Sequence, residues 1–171
     1  MKPLLLMDVD GPLNPFQAAW FTTSTPPSDF RFYALTPRDD RTYRVALSQE
    51  HGAQLRGLQD VFDLVWATTW RDEANRLISP ILGLPDDLPV IPLFRTLRPA
   101  RERGRCWKVD QVADWVGARG FAWFDDEINR RTRIWLRRLD GLGPHLALAV
   151  RPSRGLRADD FARLRSFAAP P

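Results

Sequence analysis

Leu4-Leu5-Leu6-Met7-Asp8-Val9-Asp10-Gly11 is the stretch on which the reading of this chain turns. Four apolar residues run into two carboxylates, two positions apart, with a glycine directly after. Side chains alternate faces along a strand, so Asp8 and Asp10 point the same way. If a buried strand ends here, both project into the crevice where open α/β sheets bind ligands. Like charges this close repel unless a cation or a shared proton relieves them. The same residues also suit a tight Asp-rich turn, since Asp and Gly are turn formers. A calcium loop of the EF-hand type is excluded, because Leu13 and Ala19 stand where it needs Gly and Glu.

Outward from this strand, helical and extended patterns alternate. Pro12, Pro15, Pro26 and Pro27 break regular structure after Gly11. Residues 30–35 and 41–47 are rich in aromatic and β-forming residues around a turn-prone Thr36-Pro37-Arg38-Asp39-Asp40, which predicts a β-hairpin. Residues 12–48 therefore read as loop and hairpin inserted after the first strand. Ser48 caps a helix to about Gln59; a second strand runs Val61–Ala67 and ends at Thr68-Thr69. Ala74, Leu77, Ile78, Ile81 and Leu82 keep helical spacing. Val90–Phe94 reads as a third strand, at an edge because of Pro92. Val109, Val112, Ala113 and Val116 mark a helix closed by Gly117 and Gly120. Phe121–Phe124 is a fourth strand running into Asp125-Asp126, a short helix covers 128–138, and a fifth strand covers 145–150. A last helix spans about 157–168. The alternation predicts an α/β fold, with a mostly parallel five-stranded sheet covered by helices on both faces.

With 171 residues, 44% hydrophobic and 27% charged, the chain has the size and composition of one globular domain, residues 1–171. The lone Cys106 rules out an internal disulfide, and no Cys–His signature surrounds it. The apolar run at 3–7 is too short for a signal-peptide core, so a cytoplasmic protein is expected. Net charge is +4, almost all of the basic charge being arginine, which permits a polyanionic partner.

Three predicted strands end in polar residues that could act together, namely Asp8 and Asp10, Thr68-Thr69, and Asp125-Asp126. Lys108 opens the helix that feeds the fourth strand. In a parallel sheet these strand ends share one edge. Singly, each has a structural explanation. A threonine caps a helix, a lysine lies in solvent, and an acidic pair offsets a helix dipole. Together, and in this order, they form a constellation.

That constellation resembles the haloacid dehalogenase (HAD) superfamily, whose four motifs match Asp8-Val9-Asp10-Gly11, Thr68, Lys108 and Asp125-Asp126 over roughly residues 3–150. Three stretches further resemble the small HAD domains of Swiss Army Knife RNA-repair proteins. They are Asp8-Val9-Asp10-Gly11-Pro12-Leu13-Asn14-Pro15, Trp66-Ala67-Thr68-Thr69-Trp70 and Trp123-Phe124-Asp125-Asp126-Glu127. The resemblance implies a Rossmann-like core and a Mg2+-dependent phosphatase. Asp8 is then the nucleophile and Asp10 the general acid–base. Dehalogenating members lack the second aspartate, so Asp10 favours phosphoryl transfer. Magnesium would be held by Asp8, the backbone carbonyl of Asp10, and Asp125, with Asp126 a second metal partner or an orienting group. Thr68 would bind a phosphate oxygen and Lys108 would neutralise the phosphoryl group. Thr69 could replace Thr68, and Arg105 or Arg103 could share the role of Lys108.

Too few residues separate the motifs for a large cap domain. An open site with at most a small β-flap is expected, and this suits the phosphorylated end of a large molecule such as nucleic acid. Two arginine clusters, Arg95/Arg98/Arg101/Arg103/Arg105 and Arg130/Arg131/Arg133/Arg137/Arg138, could hold a phosphate backbone. Trp20, Trp70, Trp107 and Trp123 could offer stacking surfaces, although buried packing suits most tryptophans. The rival readings are a phosphatase for a small metabolite or phosphoprotein, and a non-catalytic module that kept the fold.

Overall fold

A computed structural model describes residues 1–23, 25–94 and 103–169. Strands β1 (Leu4–Met7), β2 (Phe30–Leu35), β3 (Tyr43–Ser48), β4 (Asp63–Trp66), β5 (Phe121–Asp125) and β6 (His145–Ala149) form two sheets. The central sheet has the order β4-β1-β5-β6, with all pairings parallel, and β1 lies in the middle. Helices are α1 (Gln49–Arg56), α2 (Ser79–Leu82), α3 (Val109–Val116), α4 (Arg130–Arg138) and α5 (Ala158–Ala168). The arrangement is consistent with a Rossmann-like core.

Strand alternation sorts the interior into two layers. Leu5, Met7, Leu64, Trp66, Ala122, Phe124 and Leu148 pack against Leu55 of α1, Leu82 of α2, and Phe161 and Leu164 of α5. Leu4, Leu6, Val65, Phe121, Trp123 and Ala147 turn to the opposite side, against Val109, Val112 and Val116 of α3 and Leu136 of α4. Trp66, Trp123, Phe121 and Phe124 are wholly buried, each removing a large apolar surface from water. Strands covered on both faces have continuous apolar runs, as β1 does.

Two expectations need correction. The central sheet has four strands among the described residues, not five. At Val90–Phe94 only a single parallel bridge forms, Val90 with Trp66. Trp66 N–H donates to Pro89 O at 2.8 Å and Ile91 N–H to Trp66 O at 2.9 Å. Pro89 and Pro92, flanking that bridge, have no N–H to extend a ladder. The 74–82 helix is likewise not one uniform α-helix. It begins as a π turn, Ala74–Ile78, and becomes α2 only at Ser79. Pro80 has no proton for the preceding turn, so the chain winds wider there before Gly83, at φ +66°, ends it.

Phe30–Leu35 and Tyr43–Ser48 pair antiparallel, with Tyr33 opposite Val45, in a ribbon outside the central sheet. Ser48 caps α1, accepting from His51 N–H at 3.3 Å. Among the described residues no helix is long and apolar enough to cross a membrane.

A carboxylate cluster at the strand ends

The parity that sorts the core also aims the polar strand ends. Asp8 follows Leu4 and Leu6, and Asp125 follows Phe121 and Trp123, so both leave the sheet on the α3 side. Lys108 stands directly before α3 on that same side. Its Nζ lies 2.9 Å from Asp8 Oδ2 and 2.7 Å from Asp125 Oδ2, and donates to Ala67 O at 3.3 Å. All three charged side chains are almost completely buried. Asp125 Oδ1 accepts from Glu127 N–H at 2.8 Å, which fixes the carboxylate plane. Beyond it, Asp126 stands over Gly11, whose φ is +94°. A Cβ added at Gly11 would meet Asp126 Cβ at 2.6 Å, so the glycine is required both for the turn and for this approach.

One carboxylate oxygen each from Asp8, Asp125 and Asp126 lies within 4.8 Å of the others. Among the described residues a single ammonium, that of Lys108, is set against them, and the imbalance is felt. Burial, partly offset by Lys108 and reinforced by Asp125, holds the Asp8 carboxyl well above the usual carboxylate range. Burial and then the charge of Asp125 push Asp126 up to about 6. For Lys108 burial acts to lower the pKa, but Asp125 and Asp8 outweigh it and raise the value above that of a free lysine. Three hard oxygen donors, only partly balanced by Lys108, form a cluster that could hold a metal ion.

Asp10 sits apart from this group. Its Oδ1 accepts from Asn14 Nδ2 at 2.9 Å and its Oδ2 from Trp70 Nε1 at 3.0 Å. Each oxygen of the Asp10 carboxylate thus carries one neutral side-chain donor. Sequence reasoning misses both Asn14 and Trp70 as partners of Asp10. One contact is long-range and the other turn-specific, and no local pattern announces either.

The cluster opens into a cleft of about 950 Å3 lined by Asp8, Asp10, Thr69, Trp70, Lys108 and Asp126, among others. Thr68 is fully buried, its Oγ1 accepting from Trp70 N–H at 3.4 Å, while Thr69 faces the cleft. Arg105 does not line it: its guanidinium pairs with Asp110 at 2.9 Å and lies over the Trp135 ring at 4.4 Å. Arg103 and the α4 arginines also lie outside the lining, and Arg95, Arg98 and Arg101 fall outside the described residues. Trp107 reaches the cleft, Trp123 is core, and Trp20 packs on Phe30 at 5.1 Å between centroids. The far wall is β3 and the turn before it: Pro37, Arg38, Asp39, Tyr43, Arg44 and Val45. Burial pushes the thiol of Cys106 far up, so it is inert as a nucleophile.

Residues 4–161 match the family described as the HAD domain in Swiss Army Knife RNA repair proteins. The chain belongs to that family. HAD domains are generally hydrolases, so the family assignment points to hydrolase or phosphatase chemistry. No curated protein matches the sequence. A solved structure of a hypothetical protein from Xanthomonas campestris is similar to this HAD domain at 14% identity. That match covers 98% of this chain and 83% of the other, with a TM-score of 0.46.

Proposed function

We propose that this HAD domain is a Mg2+-dependent phosphatase that hydrolyses phosphomonoesters through an aspartyl-phosphate on Asp8. The observation that carries the reading is Lys108 Nζ held between Asp8 and Asp125, with Asp126 beside them, at the base of an accessible cleft. Asp8, at the end of β1, attacks the phosphorus; the ester P–O bond breaks, and the leaving oxygen takes a proton from Asp10. Asp10 then takes a proton from water, whose oxygen attacks the same phosphorus. The Asp8–phosphorus bond breaks and inorganic phosphate departs, with Asp8 ionised and Asp10 protonated again. Lys108 offsets part of the cost of ionising the buried Asp8, and it neutralises a phosphoryl oxygen as charge builds. Thr69, or Thr68 after a small rotation, donates to another phosphoryl oxygen. Asp8, Asp125 and Asp126, with the Asp10 backbone carbonyl, would hold Mg2+, which would supply the charge neutralisation that lets a carboxylate approach a phosphate.

The substrate proposed is the phosphorylated end of a nucleic acid or nucleotide. The cleft has room beyond the carboxylates. Its lining carries Tyr43 and Phe16 beside Arg38, Arg44 and Arg71, interspersed with Asp39, Asp72 and Glu73, so that aromatic and cationic groups are at hand for bases and phosphates. The family's RNA-repair setting agrees. The test is turnover of p-nitrophenyl phosphate with Mg2+ and with EDTA, and then of an end-phosphorylated oligonucleotide across a salt series. Asp8→Asn is expected to abolish hydrolysis with the fold intact. Turnover that survives either EDTA or that substitution overturns the mechanism.

A further inference from the structure

Asp10 is held by two neutral side-chain donors, and those donors come from different parts of the chain. Asn14 Nδ2 reaches Oδ1 across the Gly11 turn, where Gly11 N–H also donates to Asn14 O at 2.8 Å. Trp70 Nε1 reaches Oδ2 from the segment after β4. A carboxylate oxygen has about two acceptor sites, so one on each oxygen is taken and the plane of the group is set. The sites that remain are fixed in direction.

Both donors are in turn tied to the hairpin. Asn14 Oδ1 accepts from Ala46 N–H at 3.0 Å, and Asn14 is buried. The Trp70 ring meets Tyr43 edge-on, centroids 5.7 Å apart at 65°. Ala46 and Tyr43 both belong to β3, the strand that forms the outer wall of the cleft. The amide orientation of Asn14 follows from these bonds: its oxygen must face Ala46 N–H, which turns its NH2 onto Asp10.

The geometry points to Trp70 as the positioning residue for Asp10, with Asn14 as its counterpart and β3 as the brace that holds both. Trp70 does not touch the reacting atoms. It acts through Asp10, holding the carboxyl where it meets the leaving-group oxygen, since proton transfer depends on that alignment. The hairpin is then a catalytic brace as well as a wall.

This inference rests on the phosphatase reading, and leaving groups separate the two. Trp70→Phe leaves an aromatic ring to meet Tyr43 and removes the N–H together with part of the indole. p-Nitrophenyl phosphate departs as a stable phenolate that needs no proton, whereas an alkyl phosphate such as a nucleoside monophosphate needs one. The expected result for Trp70→Phe is a loss in kcat/KM, which reports phosphoryl transfer to Asp8 and not the water step common to both esters, of about 10-fold or more on the alkyl ester, with the aryl ester within about 3-fold. In an Asp10→Asn background the same substitution should cost nothing further, because its effect passes through Asp10. Equal losses on both esters, no loss on either, or an additive loss in the Asp10→Asn background overturn the positioning role. In each of those cases wild-type turnover of the aryl ester leaves the phosphatase reading standing. Wild-type protein that turns over neither ester with Mg2+ sinks the reading, and the inference with it.

Discussion

Lys108 occupies a position where its removal should cost more than any other single charge. Its ammonium is buried between two buried carboxylates, with N–O distances of 2.9 and 2.7 Å. Breaking such an arrangement by deleting one partner leaves uncompensated charge away from water, typically about 3–5 kcal/mol. Lys108→Met should therefore lower the melting temperature sharply in EDTA, and Mg2+ should restore part of the loss. The Mg2+-induced rise in Tm should exceed that of the wild-type protein, because a cation then meets two carboxylates with no competing ammonium. An unchanged Tm in EDTA would show that the lysine is not what balances Asp8 and Asp125. Gly11 makes the complementary point. A backbone at φ +94° under Asp126 leaves no room for a side chain, so the residue after Asp10 is dictated by the carboxylate above it.

Among the elements, α4 does more than cover the sheet. Asn129 caps it, accepting from Thr132 N–H at 3.0 Å; the buried Thr132 hydroxyl donates to Asn129 Oδ1 and accepts from Cys106 N–H at 2.9 Å. The first turn of α4 thus anchors the loop two residues before Lys108. Thr132→Val keeps the shape but strands a buried N–H, a cost of about 1–3 kcal/mol. It should lower Tm and reduce phosphatase turnover together; full activity at wild-type Tm would refute the anchor. None of this was legible in the sequence, since Thr132 looks like any threonine near a helix start. What was legible were features that local chemistry decides. The apolar run of β1 announced a strand buried on both faces, Ser48 announced α1, and the order of acidic and basic strand ends announced which residues share an edge. Reading failed where a long-range partner or a proline ruled. Val90–Phe94 has strand composition but too few N–H groups to build a ladder. Arg105 looks like a site cation until Asp110 and Trp135 claim it, the Trp70 bond to Asp10 crosses the chain, and the Asn14 bond depends on the particular turn at Gly11.

At the scale of the whole molecule, His51 joins the hairpin to one of the two helix layers. It sits on α1, meets Phe30 of β2 edge-on at 5.4 Å and Phe161 of α5 at 5.7 Å, and its Nε2 lies 3.1 Å from Leu156 O. The hairpin, one helix layer and the last helix therefore converge on one imidazole. The bond to a carbonyl sets Nε2 as the protonated nitrogen, and Nδ1 is buried with no hydrogen-bond partner. Burial is the largest influence on the ring and lowers its pKa from 6.5, outweighing the Leu156 carbonyl. A base whose pKa falls on folding is more easily protonated in the unfolded chain. Its contribution is complete above the unfolded value and is lost as pH falls from there through the folded value. His51→Gln keeps an N–H for Leu156 and removes the titration. Between about pH 7.5 and about pH 5 the wild-type protein should lose more melting temperature than the variant, the two being closest at the alkaline end. Acid losses common to the two proteins cancel in the difference. Parallel Tm–pH curves would mean that the imidazole takes up its proton equally in the folded and unfolded states, and the hairpin would then not be released by mild acid. Because the same hairpin braces Asp10 through Asn14 and Trp70, a measured divergence would place the stability of that brace under the control of a residue on the opposite face of the sheet from Lys108.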